Sequence, residues 1–197
     1  TVLIHHAAGG VGTAAAQLAQ AFEAGKLFGV ASKSKSDFVA SHGMHFIDRE
    51  KEDFVNVVKQ ETAGRGVHHV IDPVGGPHLM RSYKALRSGG KLYVFGGSSF
   101  VTGVKKSTFK AVMNYLKTPK FHPMKMMSSN KSVFGVHMGK FQDFDLMKNE
   151  MMSLIKLLEQ GKLNPVIDKS FHFENAALAH QYLHDRMNKG KVLLDFI

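Results

Sequence analysis

At 197 residues, 44% of them apolar, the chain suits one domain with a substantial core. It contains no cysteine, which excludes disulfides and any four-cysteine zinc site. A formal net charge of +10 favours anionic ligands and weak association with acidic membranes or nucleic acid, but it carries no information about fold. Residues 1 to 22 lack Asp, Glu, Lys and Arg. Glycines, glutamines and two histidines interrupt that run and no basic segment precedes it, so it fits neither a membrane span nor a secretory signal. A soluble, cytoplasmic protein is expected.

The opening residues, from Thr1 to Gly12, run from β-branched and apolar side chains into a cluster of small ones. An alanine-rich stretch from Thr13 to Phe22 follows, and the order reads strand, tight turn, helix. Small residues there let a pyrophosphate approach the unpaired N–H groups of a helix start. Gly9, Gly10, Val11 and Gly12 are the expected contacts. The G-x-G-x-x-G fingerprint has Ala7 in its first place, and a turn that binds nothing is the bland alternative.

Lys26 to Ser32 reads as strand two. An NAD-binding fold would place an acidic residue near its end, about 20 residues beyond the loop. Here the strand empties into Ser32-Lys33-Ser34-Lys35-Ser36, hydroxyls and ammonium groups that suit a 2′-phosphate and so favour NADP(H). Strand three is His45 to Asp48, followed by Arg49, which can grip a phosphate bidentately. Ser32, Lys35 and Arg49 are therefore assigned to the 2′-phosphate; solvated surface charge is the alternative reading.

A helix is expected from about Glu52 to Thr62, strand four from Val67 to Asp72, and strand five from Lys91 to Phe95. Glycines follow strands four and five, at the ends where open parallel sheets bind ligands. From Phe100 to Lys131 the chain reads as basic and irregular around one short helix (about Ser107 to Leu116), with a Met-rich stretch at Phe121 to Met127. That stretch reads as a flap or core filler, with a lid or a lipid-facing patch as functional alternatives. Strand six, Ser132 to Met138, precedes an amphipathic helix from about Asp143 to Gln160. A short strand (Lys169 to Phe173), a helix (Glu174 to Met187) and a strand (Lys191 to Phe196) complete the chain. The expected fold is α/β, a doubly wound Rossmann domain with a six-stranded parallel sheet over residues 1–160 and a C-terminal extension over 161–197.

Ala7-Ala8-Gly9-Gly10-Val11-Gly12 resembles the glycine loop of the zinc-free quinone oxidoreductase branch of the medium-chain dehydrogenase/reductase family. Asp72-Pro73-Val74-Gly75-Gly76, Gly89-Gly90-Lys91, Phe134-Gly135 and Asn188-Lys189-Gly190-Lys191 match in the same order. The Asp-Pro-Val-Gly-Gly and Phe-Gly-Val-His-Met-Gly segments are most similar to that branch's synaptic vesicle subgroup.

The resemblance implies an N-terminal GroES-like domain ahead of the glycine loop, so a chain that begins at the first Rossmann strand reads as an excised domain. It implies hydride transfer from NADPH to a quinone or an α,β-unsaturated carbonyl without zinc. It assigns Val74, Gly97, Phe134, Val136 and Asn188 to the nicotinamide half. It also implies a homodimer joined at the strand-six edge, and residues 161–197 weakly anchored without the missing domain. A membrane-peripheral regulatory protein that binds NADPH without turnover is the rival reading. Nucleic-acid binding has no recognition motif behind it and is not expected.

The twelve histidines show no H-E-x-x-H pattern. His5-His6 and His68-His69 lie in strands, where neighbours face opposite ways and cannot share an ion, so no metal site is expected. His137 is the one histidine placed beside the nicotinamide. Asp72 reads as a strand-end hydrogen-bond acceptor, and no residue reads as catalytic. The chemistry is left to the cofactor, and the chain in isolation is expected to bind it but to turn over slowly or not at all.

Overall fold

The computed structural model describes residues 1–100 and 108–196. Strand and helix alternate from the first residues: β1 (Val2–His5), α1 (Gly10–Ala21), β2 (Leu27–Ala31), α2 (Ser36–Ser41), β3 (His45–Asp48), α3 (Phe54–Glu61), β4 (Val67–Asp72), α4 (Leu79–Ala85) and β5 (Leu86–Val94). Then come α5 (Thr108–Leu116), α6 (Pro123–Ser129), β6 (Ser132–Gly135), α7 (Phe144–Glu159), β7 (Ile167–His172), α8 (Ala176–His184) and β8 (Lys191–Asp195).

Six strands form one parallel sheet in the order β3-β2-β1-β4-β5-β6. The order reverses between β1 and β4, where the chain crosses from one half of the sheet to the other, and such a switch point opens a crevice at the strand ends. β7 and β8 pair, also in parallel, as a separate two-stranded sheet.

Successive side chains of a strand point to opposite faces, and a sheet covered on both sides must bury both sets. Leu3, Phe28, Val30, Val70 and Leu92 pack with Phe54 and Val58 of α3 and Leu79 and Ala85 of α4. Val2, Ile4, Leu27 and Ala31 pack instead with Ala16 of α1 and Val39 of α2. Burying one such aliphatic or aromatic side chain contributes about 1.5–3 kcal/mol, so these two layers hold most of the stability. β6 and α7 differ: half of β6 is exposed, and α7 buries none of its sixteen residues.

Several boundaries differ from the sequence reading, each for a local reason. α1 begins at Gly10 rather than Thr13, because Gly9 takes the extended N-cap conformation and Thr13 N already bonds to its carbonyl at 2.9 Å. α4 was not anticipated; its seven residues lie between a glycine turn and a strand with too little periodicity to show. β5 starts five residues early, with a register shift where Gly89 and Gly90 loosen the pairing with β4.

The stretch from Phe121 to Met127 is not irregular. His122 Nδ1 accepts from Met124 N at 3.3 Å, Pro123 opens α6, and Asn130 closes it in the left-handed region at φ 50°. β6 stops at Gly135, three residues short of the expected end. Ser107, the expected start of the short helix, lies outside the described residues.

The C-terminal segment is held by a few polar ties. Gln17 Nε2 donates to the Asn164 carbonyl at 2.7 Å and its Oε1 accepts from Asn164 N at 2.8 Å. Gly190 N donates to the Ala8 carbonyl at 2.9 Å, and Gly9 and Gly190 form a parallel bridge.

Candidate functional site

α1 starts immediately after β1, so its first N–H groups, on Gly10, Val11 and Gly12, lack carbonyls one turn earlier in the helix. The approach of helix to strand is close. A Cβ on Gly12 would stand 2.4 Å from the His6 carbonyl oxygen and 2.7 Å from Ala7 Cα, which no side chain tolerates. Ala7 is itself fully buried, so the missing first glycine of the fingerprint is a packed core position. A Cβ on Gly10 would meet the Lys191 stem at 2.5 Å, because β8 crosses over the loop.

Beside this loop, outside the carboxyl ends of β1, β2 and β4, lies a groove of about 710 Å³. Gly9, Ser32, Lys35, Arg49, Val74 and Asn188, chosen from the sequence, line it together. Gly10, Val11 and Gly12 form the adjoining helix start. Gly97, Phe134 and Val136 do not line the groove, nor does His137. Gly97 is capped by the Phe100 ring, 2.7 Å from where its Cβ would be. Phe134 stacks on Tyr93 at 5.4 Å along the sheet edge, on the opposite side of the sheet from β2. Asn188, assigned with them to the nicotinamide half, instead meets Lys35, whose Nζ donates to its carbonyl.

The groove is cationic. Lys35, Arg49, Arg81 and Arg186 line it against one carboxylate, Glu50. Glu50 pairs with Arg49 at 3.3 Å, and a bound phosphate would compete with it for the guanidinium. Burial, with Arg49 and Lys189 adding to it and Asp168 opposing, holds the Lys35 ammonium below its ordinary pKa. His6 sits in the left-handed region at φ 52° and is likewise lowered, by burial first and then by Arg186 and Arg49. An anion placed among Lys35, Arg49 and Arg186 would be attracted by all three charges. Among the described residues, Ser99 Oγ is the buried side-chain polar atom with no hydrogen-bond partner, and Ser99 lines the same groove.

Arg186, His6 and Ser99 escaped the sequence reading. Arg186 stands two residues before Asn188, close enough for the motif to have pointed to it. His6 and Ser99 gave no signal beyond their neighbourhood of glycines.

Beneath the groove lies a buried polar cluster that joins residues distant in sequence. Asp72 Oδ1 accepts from Val74 N at 2.7 Å and Gly75 N at 3.1 Å, and Ser82 Oγ donates to its Oδ2 at 2.6 Å. His5 Nε2 lies 3.1 Å from Ser82 Oγ and 3.3 Å from His78 Nε2. The reading of Asp72 as a strand-end acceptor matches these bonds. The expectation that His5 and His6 both lie in a strand holds for His5 alone, since β1 ends there and His6 is in the following turn; His5 meets His78 from another element.

A crevice at the switch point of a parallel sheet, beside a helix start, is the arrangement of Rossmann-type nucleotide-binding domains. A family profile described as "Zinc-binding dehydrogenase" matches residues 42–194. The chain belongs to this medium-chain dehydrogenase/reductase family, of which it represents the C-terminal, cofactor-binding part. It is 34% identical over 196 residues to a zebrafish (Danio rerio) synaptic vesicle membrane protein VAT-1 homolog, covering 98% of this chain and 40% of that protein. It is 26% identical to a rat (Rattus norvegicus) quinone oxidoreductase, covering 98% of this chain and 54% of that one. The crystal structure of a human VAT-1 homolog-like protein superposes with a TM-score of 0.77 at 28% identity, over 100% of this chain and 53% of that one. The chain thus spans about half the length of these relatives; a further solved structure it matches, at 25% identity and a TM-score of 0.75, is an NAD-dependent alcohol dehydrogenase.

The family description names zinc, whose protein donors are thiolate, imidazole and carboxylate. This chain has no cysteine. Among the described residues one group, His5, Asp72 and His78, brings three such donor atoms within 4.8 Å of one another. Those donors fit the ion.

Proposed function

We propose that the chain is the NADPH-binding part of a quinone oxidoreductase-like enzyme that transfers hydride to a quinone or an α,β-unsaturated carbonyl. The observation that carries this reading is the cationic groove lying directly against the start of α1. The nicotinamide supplies the hydride when bound, and hydride transfer itself needs no metal. This chain's residues do the holding. The N–H groups of Gly10, Val11 and Gly12 face the pyrophosphate, while Ser32, Lys35 and Arg49 take the 2′-phosphate, with Arg186 added from across the groove. Ser99 Oγ, which has no partner among the described residues, offers a hydrogen bond. Val30 and Phe54 give the groove an apolar wall. No side chain is assigned a proton-transfer role, and the whole protein's activity is taken to need the part of the relatives' length that lies outside this chain. The exposed Phe134 and Val136 support a homodimer through the β6 edge, since an uncovered apolar edge invites pairing.

Calorimetric titration with NADPH and NADH tests this. Charge-assisted hydrogen bonds contribute roughly 1.5–3 kcal/mol each, so Arg49→Ala should weaken NADPH binding by about tenfold to a hundredfold and leave NADH unchanged. Equal affinity for the two cofactors, before and after the substitution, overturns the NADP assignment. A second reading, an NADPH-binding regulatory protein at vesicle membranes without turnover, draws on the names of the vesicle relatives. Quinone-dependent NADPH oxidation by the full-length protein decides between them.

A further inference from the structure

We infer that His5, Asp72 and His78 form a binding site for a divalent transition-metal ion of the zinc type, at the floor of the groove, with one coordination position open toward it. The topology makes the site. β1 and β4 are parallel neighbours with Ile4 opposite Ile71, so the residues that end them, His5 and Asp72, stand side by side. The turn through Gly75 and Gly76, at φ 68° and 59°, then folds His78 back over both. Both histidines also line the groove.

The geometry favours an ion over the hydrogen bonds alone. Zinc–nitrogen bonds of about 2.0–2.1 Å at tetrahedral angles separate two ligand nitrogens by about 3.3–3.4 Å; His5 Nε2 and His78 Nε2 are 3.3 Å apart. The carboxylate oxygen lies within 4.8 Å of the nitrogens, so binding draws it, or His78 on its turn, somewhat inward. Without an ion the cluster is short of protons. The single Ser82 hydroxyl proton goes to Asp72 Oδ2, which leaves Ser82 to accept from His5 Nε2, and the same nitrogen faces His78 Nε2. One proton serves two acceptors, whereas a cation takes both imidazole lone pairs. As a proton path the chain leads only to Asp72, which is fully buried.

The surroundings suit a held ion. Val74 N, Gly75 N and Ser82 Oγ fix the carboxylate as outer-shell bonds fix ligands in metal sites. The Phe54 ring packs against both imidazoles, at 4.7 and 5.1 Å. Burial lowers the pKa of each histidine, most strongly for His5, and leaves them neutral at pH 7, the form that binds metal. Arg81 opposes, but its guanidinium lies over Phe54 and pairs with Asp53 at 3.3 Å. The site is additional to the hydride chemistry and does not depend on the cofactor reading.

The test uses the 197-residue chain stripped with a chelator. Zn²⁺ is titrated calorimetrically and Co²⁺ by its visible spectrum, on the parent chain and on His78→Ala and His78→Cys. His78 lies on a short turn at the groove, so both variants leave the strands intact, and circular dichroism verifies that they are folded. The expected result is one tight ion per chain with the intense bands of tetrahedral cobalt. His78→Ala should weaken binding at least about a hundredfold, and His78→Cys should restore it with a new sulfur-to-cobalt absorption. Absence of stoichiometric binding, or binding unchanged by His78→Ala as expected for scattered surface histidines, overturns the proposal. Binding of NADPH to the metal-free chain is scored separately, so the two readings fail independently.

Discussion

The two ends of the sheet are built by different rules. From β1 to β4 each strand buries side chains on both faces, and the helices close over them in two apolar layers. From β6 onward the chain exposes much of its apolar surface: Phe144 is 74% and Phe196 74% accessible, and α7 buries nothing. Beyond β6, which still pairs with β5 in the main sheet, the segment from Asn164 to Gly190 is attached by discrete hydrogen bonds to Gln17, Ala8 and Lys35. The groove therefore has a floor set by packing and a roof set by polar ties, and the two should respond differently to substitution.

The largest effect expected is on the floor. Phe28 is completely buried, and Phe28→Ala should cost about 3–5 kcal/mol in urea denaturation; a cost near that of a surface change would erase the contrast. Gly12→Ala forces a methyl to within 2.4 Å of a carbonyl oxygen. It should cost about 1–3 kcal/mol and weaken NADPH binding by displacing the helix start, read in paired melting and titration experiments.

Acid should attack the same region. Burial lowers the folded-state pKa of His5, so the unfolded chain takes up the proton first. The metal-free chain should lose stability as pH falls below about 6.5, the unfolded value, continuing down to the folded pKa. His5→Gln should flatten that slope, and an unchanged slope would mean that other groups carry it.

On the roof the changes are smaller and local. Gln17→Ala removes two hydrogen bonds of about 1 kcal/mol each. It should speed amide exchange in residues 161–196 while the amides of β1 and β4 keep their protection. Phe144→Ser, on the uncovered face of α7, should shift stability by no more than about 0.5 kcal/mol.

This division also explains what could be read from the residues alone. The strands of the floor announce themselves, because burial on both faces demands continuous apolar runs, and the glycine loop announces the helix start. Six residues chosen for the cofactor line one groove: five follow strand ends that the parallel topology gathers, and Asn188 is brought there by the C-terminal segment. α4 and α6 were missed, being seven-residue helices of about two turns set by glycine, proline and a histidine cap rather than by periodicity. The His5–Asp72–His78 cluster was illegible for another reason: local alternation rules out neighbours sharing an ion, but only the pairing of β1 with β4 and the fold of the Gly75–Gly76 turn bring the three together. Phe134 and Val136 stand at the far edge of the sheet from the groove, whereas Gly97, beside the groove-lining Ser98 and Ser99, is covered by the Phe100 ring.

The bridge between Gly9 and Gly190 and the tie of Gln17 to Asn164, 147 residues away in sequence, set an order of events at the ribosome. The two apolar layers can begin to condense once β5 has emerged, since their buried members all lie within or before it and only the flanking Phe121 and Val133 follow. The groove's cover cannot, because Asn188, Gly190 and Lys191 are made well after β5. During synthesis the chain thus passes through a stage in which its glycine loop is finished and uncovered, and the segment around β8 closes it later.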